Sequence, residues 1–283
     1  MPEAGAARPV ALVTGASSGI GATFARVLAA IGCDLIAVAR RKDRLDALAT
    51  ELGAAHGVPV EAIEADLAES AALRMVEERI AAAPRLEFLI NNAGFGSRGR
   101  FLDLDADTAD RMHRLHITAT LRLTHAALRI MVPRRAGAVI NVSSVAAFAP
   151  MPGSVSYSAT KAWMVAFSRG LQMELKSARS PVRVQALCPG FTVTEFHDRL
   201  DMDRSEVPKG WWLSSEQVVA ESFRGLSRGQ LVVVPGMQYR ILVCVLRWLP
   251  RALYDPVAIA TARRRGRDSS PVAPASPGPE LAD

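Results

Sequence analysis

Short apolar runs alternate along the chain with stretches in which apolar residues recur every three or four positions. The runs are continuously apolar, which is typical of strands buried on both faces. The spaced pattern is typical of amphipathic helices. Strands are predicted at residues 9–14, 34–39, 60–65, 86–91, 138–144, 181–188 and 231–235. Helices are predicted between or after them, at about 20–31, 45–52, 69–83, 106–131, 156–178 and 215–226.

This regular succession of strand and helix predicts an α/β fold. A doubly wound, Rossmann-type parallel sheet of about seven strands, with helices on both faces, covers every strand on both sides. Residues 1–235 show no composition break and are expected to form one domain, in which 190–213 form a long loop or small lobe. An apolar helical extension is expected at 236–262. Residues 263–283 are basic and then rich in Pro, Ala and Ser, so we expect them to be disordered.

The composition supports a sizeable core and argues against several classes of protein. Hydrophobic residues make up 49% of the 283 residues. Cys33, Cys188 and Cys244 form no CxxC or Cys/His motif, so neither a disulfide scaffold nor a metal site is expected. We find no apolar run long enough to span a membrane and no apolar stretch of a secretory signal at the start. A cytoplasmic protein is therefore expected.

The basic charge is concentrated towards the end of the chain. The formal net charge is +6, and the residues from Gly236 onward contain seven arginines against four acidic residues. A positive surface attracts anionic membranes, nucleic acid or phosphorylated ligands. No zinc finger, aromatic RNA-binding signature or recognition-helix pattern accompanies the arginines. We therefore expect no nucleic-acid partner and favour a solubilising role for this end of the chain.

A glycine-rich turn joins the first predicted strand to the first predicted helix. The segment TGASSGIG runs from Thr14 to Gly21, with a GxxxGxG spacing. Glycines allow a close approach by phosphate groups, and the free N–H groups at the helix N-terminus favour an anion. The turn therefore indicates dinucleotide binding. Its expected contacts are Gly15, Ser17, Ser18, Gly19, Ile20 and Gly21.

Three further motifs stand in a fixed order behind this turn. Asn91-Asn92-Ala93-Gly94 ends the fourth predicted strand, Tyr157-xxx-Lys161 has Ser144 upstream, and Pro189-Gly190 follows the sixth strand. With the glycine turn, these motifs resemble the short-chain dehydrogenase/reductase family over about residues 8–235. The resemblance implies a nicotinamide-dependent oxidoreductase in which residues 1–235 form the dinucleotide-binding catalytic domain.

The resemblance also implies roles for individual residues. Tyr157 would act as general acid/base, Ser144 would orient the substrate carbonyl, and Lys161 would hold the nicotinamide ribose and tune Tyr157. The four-residue spacing of Tyr157 and Lys161 places them on one helix face, where an ammonium is expected to lower the phenol pKa from ~10. The further cofactor contacts implied are Asp66 and Asn92 at the adenosine, Ala93, Gly94, Pro189 and Gly190, and Thr192 and Thr194 near the carboxamide.

The residues after the second strand predict which nicotinamide cofactor is preferred. NAD-using dinucleotide folds carry an acidic residue there for the ribose 2′-hydroxyl. Here the strand ends in Ala39-Arg40-Arg41-Lys42. Consecutive cations can hold a 2′-phosphate with charge-assisted hydrogen bonds. We predict that NADP(H) is preferred over NAD(H), with Arg40 as the main contact and Arg41 as a second one.

One residue departs from the family pattern. His116 stands where the family usually has an asparagine, whose main-chain carbonyl holds a water bound to the lysine. A main-chain role survives this change. Alternatively, the imidazole joins a proton relay, given its ordinary pKa of ~6.5. His116 is therefore included among the candidate catalytic residues.

The loops at the carboxyl ends of the strands are rich in large apolar side chains. Few charges lie among them, which predicts a small apolar carbonyl or alcohol substrate, either lipid-like, steroid-like or an aromatic ketone or aldehyde. Packing of the lobe onto the core is the alternative role for about half of these side chains. The candidate substrate contacts are Phe95, Phe148, Met151, Phe191, Phe196 and Trp211.

The segment 237–253 is apolar with interleaved arginines and leaves several interpretations open. It packs on the main domain, lies on a membrane surface as a peripheral contact, acts as a lid or contacts another subunit. The family resemblance implies a homodimer or homotetramer. The leading functional hypothesis is an NADP(H)-dependent carbonyl reductase or alcohol dehydrogenase. The alternative is a catalytically weak nucleotide-binding regulator that contacts a partner or the inner face of a membrane through its C-terminal segment.

Overall fold

A parallel sheet forms the centre of the molecule. The computed structural model describes residues 8–97, 99–198 and 207–264. Its seven strands lie in the order β3-β2-β1-β4-β5-β6-β7. The strands are β1 (Val10–Thr14), β2 (Asp34–Ala39), β3 (Val60–Glu64), β4 (Leu86–Asn91), β5 (Ala138–Val142), β6 (Arg183–Leu187) and β7 (Val232–Val233). The predicted doubly wound α/β fold is confirmed.

Helices connect the strands and cover both faces of the sheet. Successive residues of β1 point to opposite faces, so Ala11 and Val13 join one core cluster and Leu12 joins the other. The helices are α1 (Gly19–Ala30), α2 (Lys42–His56), α3 (Ser70–Ala81), α4 (Ala106–His113), α5 (Thr120–Arg134), α6 (Val155–Ser177), α7 (Glu195–Asp198), α8 (Ser215–Ser227), α9 (Met237–Trp248) and α10 (Arg251–Arg264).

The order of the strands in the sheet determines where a ligand site is expected. The sequence runs outward from β1 through β2 to β3 and then crosses to β4 on the other side of β1. All pairings are parallel, so the carboxyl ends of β1 and β4 lie side by side at one edge. Ligands of doubly wound folds bind in the crevice at this reversal point. Thr14 and Asn91 end these two strands.

The predicted long helix at 106–131 is interrupted. One turn, Arg114–Ala119, is a π-helix between α4 and α5. The helix ends at Arg134, close to the predicted end, with Pro133 inside its last turn. It ends when Arg135 adopts a left-handed conformation with φ 56°. A proline tolerated so close to a helix end removes only one backbone donor.

The segment 190–213 begins at the carboxyl end of β6. Its two ends are joined by a β-bridge between Thr192 and Leu213. The short helix α7 lies within it, and residues 199–206 lie outside the described residues. The expectation of a long loop or small lobe therefore applies to a segment that the structure describes only in part.

Two helices follow the last strand, at the position of the expected extension. Helix α9 buries Tyr239 and Val243. Its outer face exposes Met237, Ile241, Val245 and Trp248, the last with 84% of its surface accessible. Helix α10 continues through Arg264, so the first two residues of the predicted tail are helical, and 265–283 lie outside the described residues. Within the described ranges, we find no helix with the length and apolarity needed to cross a membrane.

Candidate active site

A cavity of about 490 Å³ opens at the carboxyl edge of the sheet, and most of the predicted site residues line it. Its walls come from the segments that follow β1 to β6, together with α4 and α6. The predicted residues that line it are Gly15, Ser17, Ser18, Gly19, Ile20, Arg40, Arg41, Asp66, Asn92, Ala93, Gly94, Phe95, Ser144, Tyr157, Lys161, Pro189, Gly190, Thr192, Thr194 and Phe196.

The glycine turn is shaped by close contacts within the protein itself. Gly15 has φ +66°, a left-handed conformation that favours glycine. A Cβ atom on Gly21 would lie 2.3 Å from the carbonyl oxygen of Gly15, so a side chain there requires the backbone to move. Gly21 therefore packs beneath the turn and, among the described residues, does not line the cavity. It shapes the turn, and its contact with a cofactor stays a prediction.

Asn92 braces this turn from the neighbouring strand. Its side-chain amide donates to the carbonyl oxygen of Thr14 at 2.9 Å and to that of Gly15 at 3.3 Å. The hydroxyl of Thr14 accepts from the backbone N–H groups of Asn92 and Ala93, both at 2.9 Å. These bonds fix the ends of β1 and β4 relative to each other. Asn92 thus acts on the shape of the glycine turn as well as lining the cavity.

The N-terminus of α1 is suited to an anion. Its N-cap residue is Ser18, whose side chain makes no capping hydrogen bond. The first backbone N–H groups of a helix have no partner within the helix and carry partial positive charge. Because glycines surround this helix end, a phosphate group can approach the backbone closely. The turn therefore fits the pyrophosphate of a dinucleotide.

Cations gather at the adenosine end of the cavity. Arg40 is 55% exposed, and its Nη1 lies 3.9 Å from a carboxylate oxygen of Asp66. Arg41 donates to the hydroxyl of Ser17 at 3.0 Å and to that of Ser18 at 2.9 Å. Arg41 also donates to Glu195 at 2.8 Å. The end of the cavity that would receive a ribose 2′-phosphate therefore has two guanidinium groups in its wall.

Asp66 is already engaged by the protein. One carboxylate oxygen accepts from the backbone N–H of Ala68 at 3.0 Å. The other accepts from the guanidinium of Arg111 on α4. Arg111 also lines the cavity, although the sequence analysis did not identify it. The carboxylate of Asp66 is thus held in place by a cation from a different part of the chain.

The residues predicted to be catalytic converge from two elements. Ser144 follows β5, and its hydroxyl accepts from the N–H of Ala146 at 3.1 Å. Tyr157 and Lys161 lie one turn apart on α6, with the Lys161 Nζ 5.7 Å from the centre of the Tyr157 ring. Lys161 Nζ donates to the carbonyl oxygen of Val142 at 2.9 Å, which ties the lysine to the end of β5. Hydroxyl, phenol and ammonium groups therefore share one wall of the cavity.

Burial is the main cause of the pKa shifts of Tyr157 and Lys161. Removal from solvent raises the pKa of Tyr157 to about 12, partly offset by a hydrogen bond with Ser144. Burial likewise lowers the pKa of Lys161 to about 8. The predicted lowering of the phenol pKa by the ammonium is therefore not found in the protein alone, because desolvation dominates. At neutral pH Tyr157 keeps its proton and is poised as an acid.

His116 is buried away from the cavity. The described residues that line the cavity do not include it. Its Nε2 accepts from the N–H of Phe95 at 3.2 Å, and its Nδ1 lies 2.9 Å from the hydroxyl of Thr160. Burial, with the positive charges of Lys161 and His113, holds the pKa of His116 well below its usual value. A neutral imidazole with both nitrogens bonded connects the loop after β4 to α6, and a proton relay through it stays a prediction.

The candidate substrate contacts divide into two groups. Phe95 and Phe196 line the cavity, and the Phe196 ring lies 5.9 Å from that of Tyr157. The other four do not line it within the described part of the chain. Phe148 packs beside β6 with Arg247 at 6.0 Å from its ring, and Met151 is half-buried.

Phe191 and Trp211 pack on the main core instead of the cavity. Both contact Tyr239 from α9: its hydroxyl accepts from the N–H of Phe191 at 2.9 Å and donates to the carbonyl oxygen of Trp211 at 2.7 Å. A Cβ atom on Gly190 would lie 2.0 Å from the Tyr239 ring. Tyr239 of the extension therefore contacts Phe191 and Trp211, two of the aromatic residues predicted from the sequence as substrate contacts.

Several residues near the cavity were not predicted. Glu195 directly follows Thr194, which was predicted as a cofactor contact, so its position in the sequence could have indicated that it lies near the cavity. Arg111 and Tyr239 carry no such signal, because they come from helices distant in sequence from the motifs, whereas Arg44 lies three residues after the predicted Arg41. In the described part of the chain, no cluster of three or more His, Cys, Asp or Glu side chains is placed to hold a metal ion.

Comparisons with known proteins agree with this geometry. The family model described as short chain dehydrogenase matches residues 9–205. The 3-oxoacyl-[acyl-carrier-protein] reductase FabG of Aquifex aeolicus is 32% identical over 215 residues, which cover 74% of this chain and 86% of that protein.

Solved structures extend the similarity over nearly the whole chain. A short-chain dehydrogenase from Sphingobium yanoikuyae in complex with NADPH is 38% identical, with a TM-score of 0.76 over 95% of this chain and 98% of that one. The bulky-bulky ketone specific alcohol dehydrogenase from Comamonas testosteroni is 33% identical, with a TM-score of 0.73 over 95% and 97%. With the family model matching most of the sequence, the chain belongs to the short-chain dehydrogenase/reductase family of oxidoreductases.

Proposed function

We propose that this protein is an NADP(H)-dependent oxidoreductase that interconverts a bulky apolar ketone or aldehyde with its alcohol. The observation that carries the proposal is the shared cavity. Ser144, Tyr157 and Lys161 stand in one wall, and the glycine turn and two arginines stand at the other end. Tyr157 would therefore lie beside the nicotinamide of a dinucleotide that spans this cavity. A nucleotide-binding regulator without catalytic activity would not require these three side chains to lie together.

The preference for NADP(H) rests on the adenosine end. Ala39 ends β2, where an acidic residue would repel a 2′-phosphate. Arg40 projects into the cavity wall with more than half of its side chain exposed, so it is free to reorient towards a phosphate. A guanidinium can bind a phosphate through two parallel hydrogen bonds. The similar Sphingobium yanoikuyae protein, whose structure contains NADPH, supports the same choice.

The chemistry divides between the cofactor and the chain. When bound, the nicotinamide supplies or accepts the hydride. Ser144 holds the carbonyl oxygen by donating a hydrogen bond to it, at the point where negative charge develops. Tyr157 donates its proton to the same oxygen. General acid catalysis of this kind contributes about 10²- to 10⁴-fold.

Lys161 has two tasks in this scheme. Its ammonium lies beneath the Tyr157 ring and is fixed by the carbonyl oxygen of Val142. It binds the nicotinamide ribose hydroxyls and stabilises negative charge left on Tyr157 after the proton has moved. The reverse reaction, alcohol oxidation, requires a phenolate. Because burial raises the pKa of Tyr157, the phenol is protonated at neutral pH, which is the form that carbonyl reduction uses.

The substrate wall favours apolar molecules. Phe95 and Phe196 line the cavity near the phenol, and Phe196 packs against Tyr157 itself. Aromatic rings around a small number of polar groups bind apolar ligands and orient them. The names of two similar proteins, a 3-oxoacyl reductase and an alcohol dehydrogenase specific for bulky ketones, support a substrate with a carbonyl between large groups.

A substrate panel tests this proposal. Oxidation of NADPH and of NADH is followed with aromatic ketones, steroid ketones and 3-oxoacyl thioesters, and with acetone and pyruvate as small or charged controls. We expect turnover with the bulky apolar ketones, and a kcat/KM at least ~10-fold higher with NADPH than with NADH, as a charge-assisted phosphate contact implies. Tight NADPH binding without turnover of any carbonyl would contradict the proposal and favour the regulator.

A further inference from the structure

Glu195 joins two parts of the molecule that are far apart in sequence. It is the first residue of α7, on the segment that follows Pro189-Gly190. One of its carboxylate oxygens accepts from Arg41 Nη1 at 2.8 Å, and the other accepts from Arg44. Both arginines belong to the start of α2 on the adenosine side of the cavity. A single carboxylate therefore joins the segment after Pro189-Gly190 to the adenosine side of the cavity.

The network reaches the glycine turn through Arg41. The same guanidinium donates to the hydroxyls of Ser17 and Ser18. A guanidinium has a fixed planar set of donors, so bonds to three partners hold it in one orientation. The position of Glu195 is thereby set relative to the turn that would hold the pyrophosphate.

The neighbours of Glu195 contact both ends of the site. Thr194 packs over the glycine turn, where a Cβ atom on Gly19 would lie 2.8 Å from its methyl carbon. On the other side of Glu195, the ring of Phe196 lies 5.9 Å from that of Tyr157. Three consecutive residues thus contact the cofactor turn, the α2 arginines and the catalytic phenol.

We propose that Glu195 is a positioning residue that tethers residues 190–196 to α2, so that one ion-pair network grips the cofactor and sets the substrate wall. The proposal rests on the nucleotide-dependent function proposed above. Glu195 is 37% exposed and Arg41 28% exposed, so the pair is screened from solvent only in part. The carboxylate stays charged throughout the working range, because its two arginines lower the pKa of Glu195 to about 2.

A simpler role would be purely electrostatic, and it makes a different prediction. A carboxylate beside Arg41 repels a 2′-phosphate, so its removal would tighten NADPH binding. Loss of the positive charge of Arg44 would weaken NADPH binding. NADH has no 2′-phosphate and would bind each variant equally well. A tether instead predicts that both variants behave alike with both cofactors.

The test compares Glu195→Gln and Arg44→Ala with the wild-type protein. Arg44 suits this purpose because, among the described residues, it does not line the cavity. Glu51→Gln is the control: it breaks another Arg–Glu ion pair of α2, Arg26–Glu51 at 2.7 Å, which joins α1 to α2 and does not involve residues 190–196. Dissociation rates of NADPH and NADH are measured by stopped-flow fluorescence.

We expect both tether variants to release NADPH and NADH about 3- to 10-fold faster, with the ratio of the two rates unchanged, as loss of a partly exposed charged hydrogen bond implies. Glu51→Gln should release both at the wild-type rate. Opposite shifts for NADPH in the two variants, with NADH unchanged, would overturn the tether and assign a purely electrostatic role. Wild-type rates in both variants would also overturn it.

Hydrogen–deuterium exchange of the nucleotide-free protein separates this proposal from the proposed function. Without the tether, the backbone of residues 190–196 should exchange faster in Glu195→Gln and Arg44→Ala than in Glu51→Gln. If wild-type protein binds neither nucleotide, the proposed function fails, while the exchange rates still decide the tether. Unchanged exchange in both variants would contradict the tether whatever the cofactor binding.

Discussion

The two halves of the cavity are built in different ways. The cofactor half is held by contacts with backbone atoms: Gly21 packs on the carbonyl oxygen of Gly15, and the side chain of Asn92 donates to the carbonyl oxygens of Thr14 and Gly15. The substrate half is held by side chains from distant elements, such as Tyr239 under Gly190 and the α2 arginines on Glu195. Constraints of the first kind leave little room for change, whereas those of the second kind can be altered and compensated.

The sharpest test of the rigid half is Gly21→Ala. The new Cβ atom would overlap the carbonyl oxygen of Gly15, which is backbone and cannot rotate away. We expect a loss of about 3 kcal/mol in the free energy of unfolding, as for severe overpacking, and a loss of measurable nucleotide binding. Chemical denaturation and fluorescence titration with NADPH measure both. Normal binding by this variant would show that the turn is less constrained than its geometry indicates.

Gly190→Ala provides the contrast in the substrate half. Its Cβ atom would overlap the Tyr239 ring, which is a side chain. We expect destabilisation of about 1–3 kcal/mol. The double variant Gly190→Ala/Tyr239→Leu should be more stable than the sum of the two single changes predicts, because the smaller side chain makes room. Strict additivity in denaturation would contradict the assigned contact.

Cofactor preference depends on the least enclosed part of the cofactor half. Arg40→Asp replaces a cation by an anion where the 2′-phosphate is expected. The ratio of kcat/KM with NADPH to that with NADH should fall by about 10- to 100-fold, as for loss of a hydrogen bond between charged groups. Activity with NADH serves as the internal control and should hold or rise. An unchanged ratio would remove Arg40 from the proposed phosphate site.

The catalytic wall predicts a pH dependence. Burial lowers the pKa of Lys161 to about 8, so the ammonium is lost as the pH rises through that value. Carbonyl reduction under kcat/KM conditions should therefore decline above about pH 8, by up to tenfold per unit. Lys161→Arg retains a charge at high pH, and its residual activity should show no such decline. A flat wild-type profile up to about pH 10 would contradict this assignment.

His116 should affect stability more than turnover. Its buried imidazole is neutral in the folded protein, whereas in the unfolded chain it binds a proton at its ordinary pKa of ~6.5. The unfolded state thus gains protons first as the pH falls, and the free energy of unfolding drops by up to about 1.4 kcal/mol per unit below that value. His116→Asn should weaken this pH dependence in denaturation experiments while changing kcat only a few-fold. A hundredfold loss of turnover would restore the imidazole to the chemistry.

The difference between the halves also explains what the sequence could predict. The turn glycines and the Tyr157/Lys161 spacing are local patterns, because neighbouring residues impose the constraint. Asn92 bonds to residues distant in sequence, and it was predicted through the family motif. The packing of Phe191 and Trp211 depends on Tyr239, which comes from a helix after the last strand. Aromatic residues that line a cavity and those that pack a core look alike in sequence.

Burial was the other quantity that the sequence did not reveal. The direction of the Tyr157 pKa shift follows from desolvation, which a helical spacing cannot indicate. The same holds for His116, which bonds to Phe95 and Thr160 from within the π-helical turn at 114–119. The departure from the family's usual asparagine identified this position in the sequence. Its physical role depends on the packing around it.

The most direct test of the central claim is single-turnover reduction of a bulky ketone by NADPH-loaded protein, comparing wild type with Tyr157→Phe. The account predicts that the variant binds NADPH within about twofold of wild type and reduces the ketone at least ~100-fold more slowly, since only the acid is removed. A variant that reduces the ketone at the wild-type rate would show that the proton comes from elsewhere, and the assignment of Tyr157 would be wrong.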